Sequence, residues 1–415
     1  MNSGLEAIAK EEKCVSIQDE GCFCNECLSA YVDRTIDGFL QEYSSGGEAV
    51  QVNFRKLVSW VPYSDSYTHY IHKYPAKLLK HIPIFFLNSR KLFPNEHSVV
   101  LDPFSGSGTV MLEALLAGHS SIGFDANPLA RLISKVKTTP INPLKLYAVT
   151  DDIIRKAKRY RRNEQLNVVN VDHWFPIHVQ YDLSRLKRAI ESISETEIKD
   201  FFLVCYSAII KSSSYADPNL SVPVKLKPEK FKNPDIKTEV TKKVERIDTL
   251  EVFSFFKEVT HNNIKRMEHF YSKKNLLTAK IWGNDARDLI SEDGNRLPDS
   301  SIDCILTSPP YAGAQKYIRA SSLNLGWLGY CEDKTLRYYE ERNIGREHYH
   351  KKEYSTPLTT GFSDIDKKLN WIREINPLRS HINGNYLIEM EKSISEMYRV
   401  LKKDCYCIIV IANNN

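Results

Sequence analysis

The sequence predicts an α/β fold, a parallel doubly wound sheet interrupted by a mainly helical insert. Three observations lead there. Short apolar runs of β character alternate with stretches of helical spacing, as in strands joined by crossover helices. Several of these runs end in an acid, in glycine or in proline, at the carboxyl edge where open α/β sheets bind ligands. The second and third strands lie about 150 residues apart, whereas a simple crossover needs a dozen or so.

Taken in order, residues 1–50 are polar and carry cysteines at 14, 22, 24 and 27. The segment CFCNEC is half of a zinc knuckle. No second Cys-x-x-Cys pair or nearby His completes a tetrahedral set, and Cys14 would have to be the fourth ligand. No metal is expected. Strands are predicted at 98–104, 120–125, 278–284, 301–308 and 405–412, with helices at 75–92, 108–118, 183–194, 246–272 and 386–402. Residues 140–275 are too long for one crossover and read as an inserted helical subdomain.

Composition bounds the class. The chain has 415 residues, 42% hydrophobic, enough for a large core and two or three domains. No apolar run reaches the roughly 18 residues of a membrane span. The start, MNSGLEAIAKEEK, has no signal-peptide pattern, so a cytoplasmic protein with reduced cysteines is expected. Net charge is +5, from 57 Lys and Arg against 52 Asp and Glu. Six of the eight residues at 155–162 are basic, and residues 225–246 hold eight Lys or Arg against four acids. By themselves such runs are solvated faces; a phosphate-tracking surface is the sharper alternative.

The segment VVLDPFSGSGTVMLEALLAG (99–118) is a β-run, a small-residue loop and a helix. Gly106 and Gly108 let the backbone turn tightly and approach a ligand. The spacing matches neither the dinucleotide nor the P-loop pattern. A second strand ends at Asp125, about 20 residues after the glycines, where an acid suits a ribose diol. A third ends at Gly283-Asn284-Asp285, whose carboxylate could accept from an adenine amino group. A glycine loop with two strand-end acids describes an adenosine ligand without a pyrophosphate, and S-adenosylmethionine fits better than NAD. The fourth strand runs CILT into Ser308-Pro309-Pro310-Tyr311. Prolines remove ladder donors and fix φ, so this strand stops at about Ser308 in a stiff corner.

Together DPFSGSGT, GFDANP, GNDARDL, TSPPY and HYIHKYPAKLL resemble the amino-group DNA methyltransferases, over residues 66–139 and 278–412. The resemblance implies a Rossmann-like S-adenosylmethionine-dependent methyltransferase fold. It divides the chain into an N-terminal extension (1–65), a first catalytic part (66–139), a helical insert taken as the DNA-recognition region (140–277) and a second catalytic part (278–415). By carry-over, Tyr74, Asp102, Phe104, Gly106, Gly108, Thr109, Asp125, Asn127, Asp285 and Ala286 would bind S-adenosylmethionine. The segment 69–79 would be the helix that closes over its methionine end. Ser308 and the Pro309 carbonyl would accept from the target amino group, Pro310 would keep the corner rigid, and Tyr311 would stack on a base flipped out of double-stranded DNA. Cys304 reads as core. Members with Ser before the prolines, especially with Thr preceding it, are most often N4-cytosine enzymes, and those with Asp N6-adenine enzymes. Cytosine N4 in a restriction–modification system is therefore expected. An N6-adenine enzyme, an RNA base methyltransferase and an inactive DNA-binding remnant are the alternatives. The family's sheet continues past the fifth strand, which leads us to expect an exposed edge there and a remainder on a separate chain, a truncated copy or a homodimer.

Overall fold

Val99-Val100-Leu101-Asp102 has no room for anything but a buried strand. In the computed structural model, which describes residues 25–61, 67–75, 77–93, 97–161, 168–313, 316–331 and 335–411, it is the central one. Five parallel strands, β1 (Val99–Asp102), β2 (Ser120–Phe124), β3 (Ala279–Gly283), β4 (Ile302–Thr307) and β5 (Leu401–Ile409), lie in the order β3-β2-β1-β4-β5. The order reverses at β1, so the crevice between β1 and β4 is the switch point where ligands bind in such sheets.

Alternation along the strands fills both faces. Val100, Cys304 and Leu306 pack on one side with Phe85 and Leu87, while Leu101, Ile305 and Phe124 pack on the other with Met397 and Val400. The first face receives helix α1 (Asn25–Gly46) through Val32 and Ile36, helix α2 (His81–Leu87), and Val110 and Ala114 of α3 (Thr109–Leu116). Helix α4 (Pro128–Thr138) follows β2, started by Asn127, whose side chain accepts from Leu129 N, with Pro128 in its first turn.

Between β2 and β3 the described residues are mainly helical, as expected: α5 (Pro143–Arg159), α6 (Ile177–Glu191), α7 (Thr196–Ile210), α8 (Pro234–Asp248) and α9 (Val252–Tyr271). Their core is not separate. Leu112 and Leu115 of α3 and Ile133 of α4 belong to one buried cluster with Leu146, Leu183, Phe202, Phe256 and Phe270. Each such side chain contributes about 1.5–3 kcal/mol by leaving water, so the insert and the sheet hold each other up.

Five predicted spans need correction. The helix drawn over 75–92 shrinks to His81–Leu87, because Pro75 disfavours helical geometry before it and Pro83 fits only in a first turn. The helix at 246–272 is two, broken at Thr249–Glu251. The helices predicted at 183–194 and 386–402 begin earlier, as α6 and as α12 (Pro377–Val400). Strand β5 starts at Leu401 rather than 405. Charged Lys402 and Lys403 disguised its start, but β5 lies at the sheet edge, where charge is tolerated. Lys402 donates to Asp303 at 2.6 Å, and Asp404 (φ 59°) takes up a bulge in the pairing with β4. Strand β5 is the outer strand of the described sheet. A further surprise is the long β4–β5 connection, which holds α10 (Thr335–Arg342), α11 (Ser363–Ile375) and α12. No described helix is long and apolar enough to cross a membrane.

Candidate functional site

One cleft opens at the carboxyl ends of β1, β2, β3 and β4. Its walls include Tyr74, Phe104, Gly106, Asp125, Asn127, Asp285, Ala286, Ser308 and Pro310, all expected from the sequence. Tyr317, Arg342, Asn343 and Ile344 complete them and were not expected. They come from the β4–β5 connection, where the only sequence signal was the basic and aromatic run RYYEERNIGREHYHK at 337–351.

The two loop glycines do different things. Gly106 (φ 50°) faces open cleft: a Cβ there would meet only Tyr74 Cε1, at 4.0 Å. Gly108 (φ 73°) caps α3 and is packed, since a Cβ would lie 2.8 Å from Ser134 Oγ and 3.0 Å from Ser134 Cα. Both need the left-handed region that other residues avoid. Gly108 and Thr109 are buried behind the cleft and do not line it.

Asp125 is built into the loop. Its Oδ2 accepts from Gly106 N at 2.9 Å and its Oδ1 from Asn127 N at 2.8 Å, while burial raises its pKa above the ordinary carboxylate value. Asn127 Nδ2 donates to Tyr74 Oη at 3.1 Å and Ser321 Oγ at 3.3 Å, tying the segment around 74 to α4. That segment is not the expected helix: residues 71–75 turn irregularly. Side-chain bonds hold it instead, through Thr68 Oγ1 to Lys137 O (2.6 Å), Lys77 Nζ to His69 O (2.6 Å), His72 with Ser207 (3.0 Å), and a buried His69–Glu113 pair. Burial pulls His69 down to about 2 and pushes Glu113 up to about 8, both toward the neutral form.

Asp102 is not on the cleft wall. It is buried, its Oδ1 accepting from Thr307 Oγ1 at 2.6 Å and Phe104 N at 3.2 Å, and burial pushes its pKa up to about 7. It therefore joins the glycine loop to the residue before Ser308. The Ser308 hydroxyl lines the cleft and makes no hydrogen bond to any described residue. Pro309 is buried, and Tyr311 sits outside the cleft wall beside Tyr317 and Tyr386. Cys304 is fully buried in β4, its thiol raised by burial, as a core residue should be.

Asp285 lines the cleft, but Arg287 already engages both its oxygens, Nε to Oδ1 at 2.9 Å and Nη2 to Oδ2 at 2.8 Å. Arg287 also reaches Glu389 of α12 at 2.5 Å and the Arg342 carbonyl at 3.1 Å. An adenine amino group would thus compete with a guanidinium for Asp285. Beside it Ala286, Ile344 and Phe104 form an apolar patch suited to a flat ring.

The donor set fits S-adenosylmethionine: an open glycine for close approach, a strand-end carboxylate at Asp125 for a diol, and an apolar patch for adenine. Cys14, Cys22 and Cys24 lie outside the described residues, among which no cluster of His, Cys, Asp or Glu could hold a metal ion.

Comparison with known proteins points the same way. The family described as DNA methylase matches residues 52–135. Type II methyltransferase M.MvaI of Kocuria varians is 27% identical over 378 residues, spanning 83% of this chain and 77% of that protein. Type II methyltransferase M.AvaI of Nostoc sp. is 22% identical over 429 residues, spanning 89% and 82%. Type II methyltransferase M.MjaII of Methanocaldococcus jannaschii is 29% identical over 147 residues, spanning 33% and 27%. No solved structure matches.

Proposed function

We propose that this chain is an S-adenosylmethionine-dependent amino-group DNA methyltransferase that methylates cytosine N4 at a specific site in double-stranded DNA, as the modification activity of a restriction–modification system. The observation that carries this reading is a shared cleft. Ser308, at the end of β4, opens into the same space as Gly106 and Asp125, with its hydroxyl uncommitted.

Bound S-adenosylmethionine supplies a methyl carbon made electrophilic by its sulfonium. Asp125 would accept from the ribose hydroxyls, and its bonds to Gly106 N and Asn127 N keep it aimed. Phe104, Ala286 and Ile344 would hold the adenine ring. A target base inside a duplex cannot reach Ser308, so it must be flipped out. Ser308 Oγ and the Pro309 carbonyl then accept the two amino hydrogens, which draws the nitrogen lone pair out of conjugation and points it into the cleft. Tyr311 stacks on the base. The bond from this nitrogen to the methyl carbon would form as the carbon–sulfur bond breaks, the sulfur keeping that electron pair and leaving as the neutral thioether S-adenosylhomocysteine, and one amino hydrogen would leave as a proton to water. Two prolines hold the acceptors still, so little reorganisation is needed in the transition state.

Serine, rather than aspartate, before the prolines favours cytosine. Lys225, Lys227 and Lys230, around a cavity of the insert, and the neighbouring Lys232 follow the phosphates. The test is to incubate the protein with labelled S-adenosylmethionine and unmethylated bacterial DNA or tRNA, then digest to nucleosides. Label in N4-methylcytosine is expected. Label in N6-methyladenine moves the target to adenine, and label in RNA alone overturns the DNA reading. Duplex binding without transfer identifies an inactive remnant.

A further inference from the structure

A second cavity, of about 440 Å³, adjoins the catalytic cleft, and Tyr317 and Asn343 line both. It is formed by residues 316–319 and 337–351 of the β4–β5 connection, outside the segment first assigned to DNA recognition. Five of its side chains are basic and three are acidic. Two of the three carboxylates are already paired, Glu341 with Arg337 at 2.9 Å and Glu347 with Lys316 at 3.7 Å. Arg346 is committed too, bonded to Glu353 at 2.7 Å and stacked over Tyr349 at 4.0 Å. Arg319 is exposed, and its guanidinium makes no ion pair or hydrogen bond with any described residue. The Arg319 guanidinium, on the wall of a cavity that adjoins the cleft, is therefore free to donate to an incoming acceptor.

We propose that this cavity reads a base pair next to the flipped target, with Arg319 donating to the edge of a guanine. The inference rests on the DNA methyltransferase reading above. Guanine is the base whose major-groove edge presents two acceptors, O6 and N7, side by side, and the forked guanidinium matches them. The shared wall of Tyr317 and Asn343 puts that contact next to the cleft that takes the target. Lysines of the insert carry the phosphates, and the arginine here carries sequence.

The test uses the whole protein and a duplex library with randomised positions. Wild type, Arg319→Ala and Arg319→Lys are each incubated with the library and S-adenosylmethionine, and methylated sites are mapped by sequencing. Wild type is expected to select a fixed site containing guanine near the target. Arg319→Ala should lose preference for one guanine by roughly 5- to 150-fold, Arg319→Lys by less, with other positions kept and S-adenosylmethionine affinity unchanged by calorimetry. An unchanged site preference overturns the proposal, as does a uniform loss on every sequence, which marks a phosphate contact. If wild type methylates no duplex at all, the DNA reading itself fails and this inference with it, a result distinct from either.

Discussion

Thr307→Val tests the link between the two halves of the site. The swap keeps the side-chain shape and removes one donor. Thr307 Oγ1 donates to Asp102 Oδ1 at 2.6 Å, and both residues are buried. Without it, Oδ1 keeps only the longer bond from Phe104 N, at 3.2 Å. Leaving a buried charged acceptor short of a partner costs about 1–3 kcal/mol. The Thr307 bond also lowers the Asp102 pKa, which burial pushes up to about 7, so the variant should hold its proton to higher pH. The loss in stability should therefore be larger at pH 8, where Asp102 is charged, than at pH 6. Thermal unfolding at both values reads this. Turnover should drop on the order of ten-fold, because Ser308 follows directly and sub-ångström displacement is costly. Equal stability of the two proteins at pH 8, with equal turnover, would refute the coupling.

Three other outcomes are expected. Asp102→Asn should change stability in a pH-dependent way. The folded pKa of about 7 lies above the ordinary carboxylate value, so the native state binds more protons across that window. The contribution of Asp102 therefore falls as pH rises from about 4 to 7. The variant should gain on wild type over that range, by at most about 4 kcal/mol, in denaturant titrations; a constant difference contradicts the assignment. Gly108→Ala should lower the unfolding midpoint more than Gly106→Ala, because only its Cβ collides with Ser134. Gly106→Ala should instead weaken S-adenosylmethionine binding, and the reverse ranking would show the loop has been misread. Asp125→Ala, which also frees the Gly106 and Asn127 amides, should weaken S-adenosylmethionine by about 100-fold, on the order of one charged hydrogen bond; unchanged calorimetric affinity would remove Asp125 from the ribose.

What the sequence made legible was local. Strands ending near Asp102, Asp125 and Ser308 declared themselves because acid, glycine and proline punctuate apolar runs; Phe104, Asp125 and Ser308, just beyond those ends, do meet in one cleft, while Asp102 is buried outside its wall. Contacts between distant segments were out of reach. Nothing near Asp102 signals that its partner is Thr307, and nothing near Asp285 shows that Arg287 and Glu389 have claimed it. Amphipathic spacing suggested a helix at 75–92, but the prolines and a buried His69–Glu113 pair shaped that segment instead. The cavity around Arg319 escaped notice because its polar, aromatic run passes from helix α10 into an irregular loop after Arg342 and so carries no sustained periodicity over 337–351.

Ser308→Ala remains the most direct probe, measured as single-turnover methylation of duplex DNA beside S-adenosylmethionine affinity by calorimetry. Loss of one fixed acceptor from the reacting nitrogen should slow transfer on the order of 100-fold or more, with affinity for S-adenosylmethionine nearly unchanged. Transfer at the wild-type rate would mean that the serine at the end of β4 takes no part in the chemistry.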